Sequence, residues 1–288
     1  MTAPQAPGRT LPSAPLLVLA SVCSVQFGGA LAATLIPLVG PATTVALRIV
    51  ASAVILLAVV RPRLRGHSAA AWRAAALLGV ATGTMNLTFY EALGRLPIGV
   101  AVTLEFVGPL LLSAAMSRRL VDAVCVAAAL AGVVLISRAL EVPWSSLDHV
   151  GIGFAALAGA CWAAYILTSR AAGRHFRGVD GLTWAMVVAG VLVAPVGIAT
   201  AHGPVGSAHV LLGGVGIAVL SSALPYSLEM LALRSMPARA FGILLALEPA
   251  VAALAGFVVL GQRLIGTQLA GMALVAAASA AVAATSRP

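Results

Sequence analysis

The sequence contains no lysine, only three cysteines, 5% aromatic residues and 9% charged residues in a length of 288. A soluble domain averages about 25% charged residues. Here 61% of the chain is hydrophobic and mean hydropathy is +1.07. No water-soluble fold hides that much apolar surface, so the solvent is lipid. The net charge of +9 rests on arginine alone. The arginines fall in short clusters between apolar runs: Arg61, Arg63, Arg65 and Arg73, then Arg118 and Arg119, then Arg170, Arg174 and Arg177. A nucleic-acid partner is excluded, because it needs one contiguous basic face. Cys23, Cys125 and Cys161 lie in apolar segments without CxxC or metal-like spacing and read as small buried hydrophobes. His67, His149, His175, His202 and His209 fall in loops or at segment ends, and none reads as a ligand. No metal or cofactor is expected. GxSxG, HExxH, paired membrane aspartates and a Gly-rich phosphate loop are all missing, which argues against an enzyme and against a nucleotide-driven pump.

What remains is a series of long apolar runs. A hydrocarbon core of about 30 Å takes roughly 20 helical residues. Ten segments qualify: 16–37, 43–60, 70–90, 98–116, 121–138, 150–169, 181–200, 209–232, 239–260 and 265–284. Residues 1–14 read as a disordered tail rather than a cleaved signal, since the apolar run that follows exceeds a signal-peptide core. With a cytoplasmic N-terminus, thirteen arginines fall inside (Arg9, Arg61, Arg63, Arg65, Arg73, Arg118, Arg119, Arg170, Arg174, Arg177, Arg234, Arg239 and Arg287). Three fall outside (Arg95, Arg138 and Arg263), and Arg48 lies within a span. That bias predicts a multi-pass protein with both termini cytoplasmic.

The two halves echo each other. Pro97 and Pro109 recur as Pro237 and Pro249, 140 residues later; at the same offset Ala92-Leu93 matches Ala232-Leu233, Thr82 matches Ser222, and Asn86 matches Tyr226. Five spans per half is an odd number, so the halves face opposite ways across the membrane. The fold class expected is an all-α membrane protein, with ten transmembrane helices in two five-helix inverted-topology repeats, 15–140 and 150–285. Secondary transporters are commonly built this way. Channels are too, so the repeat points to transport without fixing a mechanism.

Ionisable residues at membrane depth cost at least about 2.5 kcal/mol each and mark functional sites or buried charge pairs. Four stand out: Arg48, Glu105, Glu229 and Glu248. Glu91 and Asp122, near span ends, read as solvated at the interface. The stretch "SSALPYSLEM" (221–230) puts Ser222, Tyr226 and Glu229 on one helix face. Thr82, Asn86 and Tyr90 share a face of the repeat-related span, and Trp162, Tyr165 and Ser169 share another. These faces suggest a common central cavity; the competing reading of the aromatics is an interfacial belt or plain packing. Pro225 is expected to free a carbonyl near Ser221, and Pro109 and Pro249 to act likewise in their own helices.

Four stretches carry a family resemblance: "LPIGVAVTLEFVGPLL" (96–111), "GACWAAYIL" (159–167), "SSALPYSLEMLAL" (221–233) and "RAFGILLALEPAVAALAGFVVLGQ" (239–262). With them the chain resembles the drug/metabolite transporter superfamily, its halves the EamA repeat, and more narrowly the threonine/homoserine exporters of the bacterial plasma (inner) membrane. The resemblance covers nearly all of the chain from the first span to the last. It implies a central cavity and export of small amino acids or similar metabolites by proton antiport. Where the family ends its ninth span with Gly-Glu, this chain reads Gly261-Gln262, so a carboxylate expected there is missing.

A zwitterionic substrate needs an acceptor for its ammonium and a donor for its carboxylate. Glu105 suits the first, and Arg48 or backbone N–H groups at a broken helix such as that near Pro225 suit the second, while Asn86, Thr103 and Tyr226 suit a side-chain hydroxyl. Tyr90, Trp162, Tyr165 and Ser222 complete the expected substrate-binding set, and Glu229 and Glu248 are the expected proton carriers. The expected partners are a small-molecule substrate, protons and the lipid bilayer, with a homodimer as a candidate assembly. The rival readings are an exporter of drugs or other metabolites and a non-transporting scaffold or sensor. The scaffold would use the small-residue faces Ala127–Gly132 and Gly266–Ala281 for contact.

Overall fold

The computed structural model describes residues 13–117, 119–260 and 263–285. Most of the tail 1–14, with Arg9, and also Arg118, Gly261-Gln262 and Arg287, lie outside the described residues. Among the described residues the chain is helical, without strands: α1 Ala14–Val39, α2 Pro41–Val60, α3 Ala69–Leu93, α4 Ile98–Met116, α5 Leu120–Ser137, α6 His149–His175 and α7 Asp180–Ala199. There follow α8 Ala208–Ala218, a π-helical turn at Val219–Ala223, α9 Leu224–Ser235, α10 Ala238–Leu245, α11 Leu247–Leu260 and α12 Gly266–Thr285. In hydrocarbon a helix satisfies its own backbone, and that requirement dominates here. Helix starts are marked by Pro15 and Pro41, and by side-chain caps from Ser68, Asp148 and Ser207.

Among the described residues eight helices are long and apolar enough to cross a membrane: α1, α2, α4, α5, α6, α7, the continuous run Ala208–Ser235 and α12. The protein is therefore a multi-pass membrane protein. Two of the ten expected spans do not meet that description, for different reasons. In α3 the apolar run is broken by Thr82, Thr84, Asn86 and Thr88. The segment 239–260 is two helices, because Pro249 has no N–H for the carbonyl of Leu245 and the chain turns at Ala246. Its repeat mate Pro109 lies inside an uninterrupted α4.

Helix pairing follows the small residues. The main contacts are α3 on α6 and on α7, α2 on α7, α5 on α12, α4 on α6 and α1 on α9. A Cβ at Gly108 would overlap the backbone of Gly159, which fixes the close crossing of α4 and α6. A Cβ at Gly132 would come within 2.7 Å of the carbonyl oxygen of Gly271, so α5 and α12 approach equally closely. Gln268 Nε2 also donates to the Ile136 carbonyl at 3.2 Å. Gly132 and Gly271 are thus used within the chain, while Ala127, Ala270, Ala273, Ala276 and Ala280 stay exposed. Asp122, expected to be solvated, is buried and meets Arg239 Nε at 3.3 Å, which ties the start of α5 to the start of α10. Glu91 is half exposed beside Arg95, as an interfacial residue should be.

Asp148 Oδ1 accepts from the N–H groups of Gly151 (2.9 Å) and Val150 (2.7 Å) at the start of α6. The Gly151 N–H above all, with the Val150 N–H, Arg95 and His149, holds this exposed carboxyl below the usual aspartate range. A depressed carboxyl pKa contributes stability above the unfolded value, about 3.9, that is lost as pH falls through the folded value. Asp148→Ala is therefore expected to lower the Tm at pH 7, with the gap to wild type closing below about pH 4. A gap independent of pH would contradict this.

Candidate functional site

The site is built around Arg48, 8% exposed in the middle of α2. Its Nη2 donates to Asn86 Oδ1 on α3. Asn86 is the only asparagine in the sequence. Its Nδ2 donates to the Tyr226 hydroxyl on α9 at 3.1 Å and to the Thr82 carbonyl at 2.8 Å. Asn86 and Tyr226, matched by the 140-residue offset, therefore touch each other. The Arg48 guanidinium also lies over the Tyr90 ring, 5.8 Å from its centroid, one turn along α3 from Asn86.

From Tyr226 the polar path continues. Its ring lies 5.4 Å from that of Tyr165 on α6. The Tyr165 hydroxyl donates to Glu229 Oε2 at 2.8 Å, and Ser21 on α1 donates to Glu229 Oε1 at 2.6 Å. Both oxygens of Glu229 thus accept, one from each of two other helices. Glu105 on α4 is buried within electrostatic reach of Glu248 and Arg48. Glu248 in turn feels Glu229. Next to Glu105, Phe106 packs edge-on against Trp162, with ring centroids 4.7 Å apart.

The π turn explains how α8 and α9 pass this depth. In π register the N–H of residue 225 would meet the Leu220 carbonyl, but Pro225 has none. The Ser24 hydroxyl of α1 donates to that carbonyl at 2.7 Å. The freed acceptor is thus Leu220, one residue before the position expected from α-helical register. Ser221 crowds Gly28, where a side chain would collide with it.

Four buried polar atoms on the helices of this site have no hydrogen-bond partner among the described residues: Arg48 Nε, Ser52 Oγ, Ser169 Oγ and Ser222 Oγ. Ser52 lies one turn from Arg48 on the same face of α2 and is fully buried. Orphaned donors of this kind are costly unless a ligand or water engages them. Ser52 was not legible as a site residue, since a lone serine in an apolar helix carries no signal; its spacing from Arg48 was the available clue.

Arg48, Asn86, Tyr90, Tyr165, Tyr226 and Glu229 are joined by these contacts, with Glu105 and Glu248 within electrostatic reach. Trp162 meets Phe106 rather than the polar contacts, and Ser222 lies four residues before Tyr226 with its hydroxyl unpartnered. Thr103 does not join them. It lies two residues before Glu105, about 200° around the helix, and its hydroxyl pairs with that of Ser137 on α5 at 2.6 Å.

The path has two different ends. Near Tyr90 it reaches a cavity of about 170 Å³ lined by Gly40, Pro41, Tyr90, Glu91, Gly94 and His202, among others. This mouth lies where α1, α3 and α7 end and α2 begins. Near the opposite ends of these helices, the Ser21–Glu229–Tyr165 contact joins α1, α9 and α6.

Residues 149–284 match the model of the EamA-like transporter family. The threonine/homoserine exporter RhtA of Salmonella typhimurium (strain LT2) is 40% identical over 266 residues, covering 92% of this chain and 89% of that protein. RhtA of Escherichia coli (strain K12) is 40% identical over 267 residues with the same coverage. The chain belongs to the EamA-like transporter family. One crystal structure shares the fold of this EamA-like chain with a TM-score of 0.78 at 17% identity, covering 95% of this chain and 97% of that one. Membership brings a small-molecule substrate and a membrane setting to the polar path just described. The relatives are named as exporters, not enzymes.

Tyr165→Phe removes one of the two donors to Glu229. A hydrogen bond between membrane helices is worth about 0.6 kcal/mol on average and up to about 1.7, and a loss in that range is expected in detergent unfolding. Adding Ser21→Ala should be non-additive, since both hydroxyls serve one carboxyl. Strict additivity would mean that the two contacts are independent.

Proposed function

We propose that this protein exports small hydroxy amino acids of the threonine/homoserine type across a bacterial plasma membrane, in exchange for protons. The observation that carries the reading is the buried Arg48–Asn86–Tyr226 contact with its orphaned Arg48 Nε. A guanidinium with a free donor suits a substrate carboxylate. Glu105, on the other side of the charge field, takes the ammonium. Asn86, Tyr226 and Ser222, joined by Ser52, take the side-chain hydroxyl. Tyr90, Trp162 and Tyr165 wall the space. A buried carboxyl and a buried guanidinium together suit a molecule that carries both an ammonium and a carboxylate, as an amino acid does and most apolar drugs do not.

In this account the chain forms ten spans in two inverted repeats, 15–140 and 150–285. The helix pairing supports it: α3 packs on α6 as α8 and α9 pack on α1, and α2–α7 and α5–α12 each pair a helix with its own repeat mate. The arginine bias supports cytoplasmic termini, and so puts the mouth at Tyr90 outside and the Glu229 contact toward the cytoplasm.

Proton coupling then has a defined place. A carboxylate accepts from both Ser21 and Tyr165. Once protonated, it carries a donor O–H of its own and loses the charge that strengthens both contacts, so they weaken. A proton arriving from outside thereby loosens α1 from α6 and α9 and opens the site inward. Its release to the cytoplasm, as substrate enters, restores the contact. Glu248, within reach of Glu229 and Glu105, is the second carrier.

The test is counterflow in proteoliposomes loaded with unlabelled threonine, with labelled threonine outside. Wild type is expected to show saturable uptake, and Glu105→Gln to reduce it at least about tenfold, the loss of one charge-assisted contact. Glu229→Gln should keep exchange but lose its response to an imposed pH gradient. Threonine exchange unaffected by Glu105→Gln would overturn the site. Transport of bulky apolar cargo without threonine exchange would favour a drug exporter, for which the Phe106–Trp162 pair would form the wall.

A further inference from the structure

A wide groove lies away from the polar path. It has a volume of about 490 Å³ and runs between α4 and α6, with Leu104, Val107 and Leu111 on one wall and Ala156, Ala160 and Ala163 on the other. It exists because the backbones of α4 and α6 meet at Gly108 and Gly159, while the alanines beside the crossing are too small to fill the space. On α6 this face is opposite to the one that carries Trp162 and Tyr165, by the 100° step of the helix. Leu111 is 63% exposed at its edge, so the groove opens to the hydrocarbon around the protein.

Continuing the same face of α6 from Ala156, Ala160 and Ala163 leads to Leu167, Arg170 and Arg174. Arg174 is exposed and Arg170 half-buried, and among the described residues neither pairs with a carboxylate. From Ala160 to Arg170 is about 15 Å of helix, the thickness of one leaflet of a core of about 30 Å. The groove and the two arginines therefore match one amphiphile in length, polarity and charge.

We propose that the α4–α6 groove holds an acyl chain of an anionic phospholipid whose phosphate is bound by Arg170 and Arg174. The charge selects the occupant. A zwitterionic lipid offers the same chain with a headgroup of no net charge, and a second copy of this protein would bring its own arginines against these two. Because the groove wall is the α4 segment that also carries Glu105, the bound chain supports the crossing that holds that residue in place.

The test uses the full-length protein in detergent, titrated with phosphatidylglycerol or phosphatidylcholine of equal chain length and read by native mass spectrometry. A surface arginine contributes a few-fold to anionic lipid binding, so two give a preference for phosphatidylglycerol of roughly 30-fold. Arg170→Gln with Arg174→Gln should abolish the preference and leave phosphatidylcholine binding unchanged. Ala160→Leu, or the milder Ala163→Val if that variant does not fold, should weaken both lipids by filling the groove. Equal retention of the two lipids by wild type would overturn the proposal. So would competition by chainless glycerol phosphate as strong as that by the lipid, or a dimer that Ala160→Leu dissociates.

Discussion

A guanidinium at membrane depth must be given acceptors by the protein around it, and the centre of this molecule is arranged to do that for Arg48. Asn86 supplies the acceptor and Tyr90 a ring face, with the Glu105 carboxyl within electrostatic reach. Asn86 then needs its own partners and finds them in Thr82 and Tyr226. These demands bring α2, α3, α4 and α9 to one point. They also account for the polar interruptions in α3 that would make it a poor membrane span alone. It is tolerable there because the bundle, not lipid, faces them.

The same logic extends to the irregular backbone. A π turn and a broken helix are costly in hydrocarbon unless protein satisfies the freed groups. Ser24 satisfies the Leu220 carbonyl, and Gln26 Nε2 reaches the Glu248 carbonyl at 3.5 Å beside the break at Ala246. Both donors, like Ser21, belong to α1. One helix therefore serves the π turn, the broken helix and the Glu229 carboxyl, so a displacement of α1 would be felt at all three.

Much of this was legible in the sequence, for identifiable reasons. Apolar runs of span length announce helices directly, and the offset of 140 residues marked Asn86 and Tyr226 as counterparts before their contact was visible. Ionisable residues at membrane depth were conspicuous because each demands a reason. What escaped was decided by rotation and register. Thr103 shares a helix with Glu105 but points to α5. Ser52 carries no signal except its spacing from Arg48. Asp122 read as solvated because its partner, Arg239, is far away in sequence. The orphaned carbonyl fell at Leu220 because a π turn shifts the register by one, which composition does not reveal. The small residues of α5 and α12 read as an external contact face, and only the structure shows that Gly132 and Gly271 pack on each other while Ala127, Ala270 and Ala273 stay exposed.

The central claim is that the cluster around Arg48 recognises an amino acid. Equilibrium binding of labelled homoserine to purified protein tests it most directly, with wild type compared to Arg48→Gln and to Thr103→Ala, which alters a hydroxyl outside the cluster. Saturable binding that survives Thr103→Ala and is lost in a folded Arg48→Gln protein is the predicted result. Equal binding by wild type and Arg48→Gln would place recognition elsewhere and contradict the account.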